Sequence, residues 1–356
     1  MKPFNSILLI FIFISIIITN KIHAQDLQKE LTKEKKKITI DSISNKLIDT
    51  YVFPDIAKKM SDLIVGNFKK GNYKSIKDPH DFANQLATDL VSVSNDKHIR
   101  VMYNPEAILS QKQVQTPEDS LANLNSYIDN YKRENFGFKE LKILSGNVGY
   151  LDLSSFHDVT YAGQTAVSAM NFLSNSDAII IDLRNNFGGM ATMVQLLTSY
   201  LFDSNPVHLN NFYWRPTDDI TQTWTFPYVE GARSPKTPVY ILTSITTFSA
   251  AEEFSYNLKN LNRATLIGET TGGGAHPVMS VNATNEFTMW VPSGRSINPI
   301  TNTNWEGTGV TPNIEVSSTQ ALEVAHIKAL EALLEKSEDV QLKKFYQWHL
   351  SFLKAL

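Results

Sequence analysis

The sequence predicts an α/β protein, a sheet-and-helix core preceded by a small helical domain. Three observations carry that expectation. Short continuous apolar runs recur (Ala178-Ile179-Ile180-Ile181, Val239-Tyr240-Ile241-Leu242, Ala264-Thr265-Leu266-Ile267), as in strands buried on both faces. Helix-period stretches alternate with them, around residues 161–173, 192–202 and 250–261, which packs helices against a sheet. Residues 38–95, by contrast, carry three amphipathic helical patterns and no strand pattern.

The chain has 356 residues, enough for a large core in one or two domains. A formal charge of −3 argues against a nucleic-acid partner, which calls for a basic field. Residues 1–24 have the form of a secretory signal peptide: Lys2, an apolar stretch at 7–18, then a small residue, Ala24, at the cleavage point. The sequence therefore predicts an exported protein, periplasmic or secreted, whose mature form has no stable membrane span. There is no cysteine, which excludes disulfides, thiolate metal sites, a cysteine nucleophile and a lipidated N-terminal cysteine.

Taken in order, residues 25–37 are dense in Lys and Glu and read as a solvated lead-in. The N-terminal helical domain spans 38–103. Ile40, Ile43 and Leu47 share one helix face. Pro54 suits the first position of the next helix, with Ile56, Met60, Leu63 and Ile64 inward. A third helix follows Asp78-Pro79 with Phe82, Leu86 and Leu90. The turn from Asn95 to Lys97 then delivers His98 to the start of a strand. Residues 104–140 read as a polar linker with one helix near 121–135, residues 141–318 as the α/β core, and 319–356 as two amphipathic helices that cover it or contact another copy.

Chemistry has few places to reside. The eight histidines show no ligand spacing, and neither Gly188-Gly189 nor Gly272-Gly273-Gly274 matches a phosphate-binding fingerprint, so no metal or cofactor is expected. Ser249-Ala250-Ala251-Glu252 reads as a helix-capping box. The same letters place a serine hydroxyl beside the free amides of a helix N-terminus, as a nucleophile requires. His98, His157 and His276 are candidate bases, and Glu306, Glu269 and Asp182 candidate carboxylates. Spacing does not choose among them, because triad order differs between folds.

Asp182-Leu183-Arg184-Asn185-Asn186-Phe187-Gly188-Gly189 resembles the D-L-R-x-N-x-G-G signature of the C-terminal processing (tail-specific) serine proteases. The run from Thr243 to Glu269, with T-F-S-A-A-E-E-F inside it, resembles their nucleophile helix and following strand. Tyr51-Val52-Phe53-Pro54, Asp96-x-His98, Val148-Gly149-Tyr150-Leu151 and Trp305-Glu306-Gly307 are similar to the branch with interphotoreceptor retinoid-binding protein and tricorn-type proteases. The resemblance covers about residues 40–316 and implies a crotonase-like core, a serine endopeptidase activity and a peptide or protein substrate. It implies Ser249 as nucleophile, and the Ala250 amide with Gly188 or Gly189 as oxyanion hole. Where the processing proteases carry a catalytic lysine, in G-E-x-T-F-G-K-G, this chain has Gly274, so the implied base is His98 with Glu306, as in the tricorn type. The 104–140 stretch is too short for a PDZ domain. A second function is implied by the retinoid-binding relative: a non-catalytic carrier of apolar ligands.

Overall fold

The computed structural model describes residues 31–112 and 116–355; the expected signal peptide at 1–24 lies outside them. Thr32 caps α1 (Lys33–Thr50) by accepting the Lys35 amide. Part of the expected lead-in is therefore helix, and Lys36 is buried because its ammonium donates to the Tyr73 and Ile76 carbonyls. Gly71, at φ 81°, ends α2 (Pro54–Lys70). Asp78 caps α3 (Pro79–Ser94), and Asn95 closes it at φ 57°. That left-handed turn swings the chain back into β1 (Arg100–Tyr103) and sets Asp96 and His98 between the two elements.

The three helices do not complete a core alone. Ile43, Leu47, Met60, Phe82 and Leu86 pack with Phe287, Met289 and Val291, which come from far along the chain. The expected linker is mostly helical, with α4 (Pro105–Lys112) and the exposed α5 (Pro117–Arg133).

The main sheet is built from β2 (Phe138–Leu144), β3 (Val148–Leu153), β4 (Ala178–Asp182), β7 (Val239–Thr243), β8 (Thr265–Gly268) and β12 (Ile314–Glu315). Their order is β12-β8-β7-β4-β3-β2, parallel except for β2 against β3. Side chains alternate across it. Ile179, Ile181 and Ile241 face α6 (Val159–Leu173), α7 (Ala191–Tyr200) and α8 (Ala250–Asn260). Ile180, Tyr240 and Leu242 face α9 (Ala321–Lys336) and α10 (Val340–Leu353), so the C-terminal helices cover the sheet's second face. The apolar runs are continuous because both faces are buried.

The aromatic stretch after α7 folds as β5 (His208–Trp214) and β6 (Asp219–Trp224), an antiparallel hairpin extended by β11 (Gly294–Ile297). β9 (Val278–Asn282) and β10 (Phe287–Pro292) join β1 in the sheet against α1–α3. The expected 38–103 domain is thus completed by a hairpin from the second half of the chain, because its helices leave an apolar face that β1 alone is too short to cover. Among the described residues, no helix is long and apolar enough to cross a membrane.

Candidate active site

Adjacent parallel strands place their carboxyl ends side by side, so the loops after β4, β7 and β8 meet at one edge of the sheet. The middle loop carries Ser249, at φ 55° and ψ −121°, a conformation costly for a residue with a Cβ. Burial elsewhere offsets that cost. Phe254 and Leu258 are wholly buried, and each contributes roughly 2–3 kcal/mol to docking α8 on the sheet. The Ser249 amide donates to Glu252 Oε2 at 2.9 Å. Glu252 also accepts from the Thr271 hydroxyl and from the amides of Gly273 (2.7 Å) and Gly274 (2.8 Å). Burial raises its pKa while those donors pull it down. A residue expected only as a cap partner therefore ties the serine turn to the loop after β8.

Glu253, the next residue, is buried with no cation paired to it among the described residues, and burial pushes its carboxyl up to about 7, opposed by the Asn210 amide at 3.3 Å. Between its ordinary 4.5 and 7 the native state keeps a proton that the unfolded chain has released. Its contribution is thus full at low pH and lost as pH rises through 7. Glu253→Gln is expected to stabilise the protein above pH 7, by up to about 3 kcal/mol, and to have no such effect near pH 4.5. Thermal unfolding at the two pH values checks this.

The loop after β4 is pressed against Ser249. A Cβ on Gly188 (φ 103°) would lie 2.7 Å from Ser249 Cβ and 2.9 Å from the Ala250 nitrogen, so only glycine permits the approach. The buried Asn186 holds the loop: it donates to the Leu153 carbonyl at 2.8 Å and accepts the Gly188 amide at 2.8 Å. Gly188 or Gly189 was expected to join Ala250 as an oxyanion donor. The Gly188 amide is committed to Asn186, whereas the amides of Gly189 and Ala250 have no partner among the described residues. Two free donors therefore flank the serine.

His98 lies against Phe248, ring centroids 4.7 Å apart, and is 9 % exposed. A Cβ on Gly274 would fall 2.2 Å from Phe248 Cζ and 2.7 Å from His98 Cε1. Glycine at the lysine position thus leaves the room that the two rings fill. Burial holds the His98 imidazole down at about 4, neutral and able to accept a proton. Its Nδ1 has no hydrogen-bond partner and lies 3.8 Å from Asp96 Oδ1. Among the described residues, no hydrogen bond joins it to the Ser249 hydroxyl.

The carboxylate side departs from expectation. Glu306 was expected beside His98, but its Oε2 lies 3.4 Å from His276 Nδ1 and accepts the Ala275 amide at 2.6 Å. His276 Nδ1 in turn lies 2.7 Å from Asp96 Oδ2, and Asp96 Oδ1 accepts the His98 amide at 3.0 Å. The order in space is His98, Asp96, His276, Glu306. The cause is the long hairpin: β9 and β10 carry His276 in from the side and insert it between the two carboxylates. Burial, then the Asp96 charge, pushes Glu306 up to about 7. Asp96 was missed as a site residue; its signal was the D-x-H spacing in a turn. A cleft of ≈ 680 Å³ lined by Tyr51, Phe53, Arg295 and Asn304 opens onto His276 and Glu306.

The other candidates lie elsewhere. His157 packs on Tyr131 and Phe136 beneath α5. Asp182 is held by Arg184 and the Tyr150 hydroxyl. Glu269 accepts the Ser318 and Ile245 amides.

Comparison with known proteins identifies the family and the fold. The profile of peptidase family S41 matches residues 147–316. That of the N-terminal domain of S41 peptidases in eukaryotic IRBP matches residues 26–134. Among solved structures, mature CPAF is similar at 13% identity and TM-score 0.56, over 83% of this chain and 97% of that one. A lipoprotein from Streptococcus agalactiae is similar at 13% identity and TM-score 0.53, over 83% and 96%. The photosystem II D1 C-terminal processing protease is similar at 13% identity and TM-score 0.51, over 80% and 93%. At these identities the likeness is one of fold.

Proposed function

The chain belongs to peptidase family S41 and is a serine-type peptidase, and we propose that Ser249 is its nucleophile and His98 its general base. The observation that carries this reading is the serine's position: a strained turn at the head of a buried helix, between two unpartnered amides. Ser249 Oγ attacks the carbonyl carbon of the scissile bond as His98 takes its proton. The oxyanion accepts hydrogen bonds from the Gly189 and Ala250 amides. His98 returns the proton to the leaving amine, and the acyl-enzyme is hydrolysed by a water that His98 deprotonates. Asp96 lies nearest the imidazolium; Glu306 acts one residue further out, through His276. The Ser249–His98 hydrogen bond forms as substrate docks, since such bonds are commonly long in free enzymes and tighten in the substrate complex.

Export is part of the same proposal and rests on the pattern of residues 1–24. The test is labelling with a fluorophosphonate, followed by peptide mapping. Wild-type protein is expected to carry the label on Ser249 and to hydrolyse an unstructured protein substrate, and the mature chain to begin at Gln25 outside the cytoplasm. Labelling at another serine would overturn the nucleophile. Absence of both labelling and hydrolysis, with stoichiometric binding of an apolar dye, would favour the carrier instead.

A further inference from the structure

We propose that Asp96, His276 and Glu306 bind a divalent transition-metal ion, Zn²⁺ being the species that fits, and that the bound ion reversibly switches off hydrolysis. The inhibitory part rests on the assignment of His98 as base. One donor atom from each of the three residues lies within 4.8 Å of the other two. A tetrahedral ion with bonds of about 2.0–2.2 Å holds its ligands roughly 3.3–3.6 Å apart. His276 Nδ1 and Glu306 Oε2, at 3.4 Å, already have that spacing, and the 2.7 Å from Nδ1 to Asp96 Oδ2 need open by only about 0.6 Å.

Three independent features point to a cation. Asp96 is buried and the Glu306 side chain only 16 % exposed, yet no lysine or arginine pairs with either among the described residues. Glu306 Oε1 is a buried atom with no hydrogen-bond partner among the described residues. The His98 imidazole, about nine-tenths buried, also has an unpartnered Nδ1, 3.8 Å from Asp96 Oδ1. Two carboxylates with one or two imidazoles suit Zn²⁺ or a neighbour in the first transition row; without thiolate the set does not favour Cu⁺, and imidazole disfavours Mg²⁺ and Ca²⁺. Supporting contacts exist, because the Ala275 amide orients Glu306 and the His98 amide orients Asp96. The ≈ 680 Å³ cleft gives solvent a route to His276 and Glu306. On binding, His276 takes the ion on Nδ1 as the Nε2–H tautomer, so the proton it shares with Asp96 moves to Nε2 by way of solvent and Asp96 stays a carboxylate.

Inhibition follows from charge. The imidazolium that forms on His98 during acylation is stabilised by the Asp96 carboxylate. A divalent ion on that carboxylate cancels the attraction and repels the imidazolium.

The test uses tag-free, chelator-treated full-length protein. Calorimetric titration of Ser249→Ala with Zn²⁺ is expected to show one site, and Mg²⁺ no comparable binding. His276→Asn, whose amide can still donate to Asp96, is expected to weaken Zn²⁺ binding about 100-fold in the same background. Asp96→Asn is the second variant, and circular dichroism confirms the fold of each. In wild type, Zn²⁺ is expected to suppress hydrolysis with a midpoint matching the calorimetric dissociation constant, and a chelator to restore it. Absent binding, or binding untouched by both substitutions, overturns the site. Binding without loss of hydrolysis overturns the inhibition. A wild type that hydrolyses nothing overturns the peptidase assignment, while the titration still decides the metal site.

Discussion

Ser249→Ala is expected to lower peptide hydrolysis by about 10⁴-fold or more and to abolish fluorophosphonate labelling, with the fold intact. The loss is large because the other hydroxyls of the loop, those of Ser244, Thr246 and Thr247, donate to the Arg184 and Leu183 carbonyls; the two free amides alone retain only residual catalysis. A companion variant separates chemistry from strain. Ser249→Gly also lacks the hydroxyl, but glycine tolerates φ 55° and ψ −121°, whereas alanine keeps the Cβ that makes them costly. After allowing for the greater freedom of glycine in the unfolded chain, the glycine variant should be the more stable of the two by about 1 kcal/mol. Denaturant unfolding of both measures this. Hydrolysis within ten-fold of wild type in Ser249→Ala would sink the nucleophile assignment. Equal stability of the two variants would mean that the turn relaxes when the hydroxyl is removed.

His98→Ala is expected to reduce kcat/KM by about 10³- to 10⁴-fold, because among the described residues no other imidazole packs on Phe248 of the serine loop. His276→Ala should cost less, on the order of 10- to 100-fold, since this residue acts by holding Asp96 and Glu306 in place. A role in positioning predicts a second difference. His276→Asn should recover much of the activity lost in His276→Ala, because an amide can still donate to Asp96, whereas no isosteric amide recovers His98. If His276→Ala is the more damaging, the base has been assigned to the wrong imidazole. Steady-state kinetics on one peptide, with these three variants and His98→Asn side by side, decides it.

Much of the fold could be read from local pattern. Pro54, Gly71, Asp78 and Asn95 act where they stand, by fixing backbone conformation at helix ends, and the apolar runs of β4, β7 and β8 show burial on both faces directly. The turns at Ser249 and at Gly188-Gly189 were equally legible as turns, because each is set by its own backbone. Legibility ended where residues distant in sequence had to share one pocket. The N-terminal domain was expected to close on itself. Nothing near residues 38–103 indicates that Phe287, Met289 and Val291 complete its core.

The carboxylate pairing shows the same limit more sharply. Asp96 and His276 stand 180 residues apart, and only the docking of β9 and β10 on the first three helices brings them within 2.7 Å. Glycine at position 274, where the resembling proteases carry lysine, implied a histidine base, and in the structure the rings of His98 and Phe248 fill the space a side chain there would need. The sequence by itself thus determined the sheet and the serine turn, both of which follow from backbone geometry, whereas a histidine base was implied only by the family resemblance. Tertiary packing alone decided which amide stays free and which carboxylate meets which imidazole, because a buried charge is partnered by whatever the fold brings within about 4 Å of it.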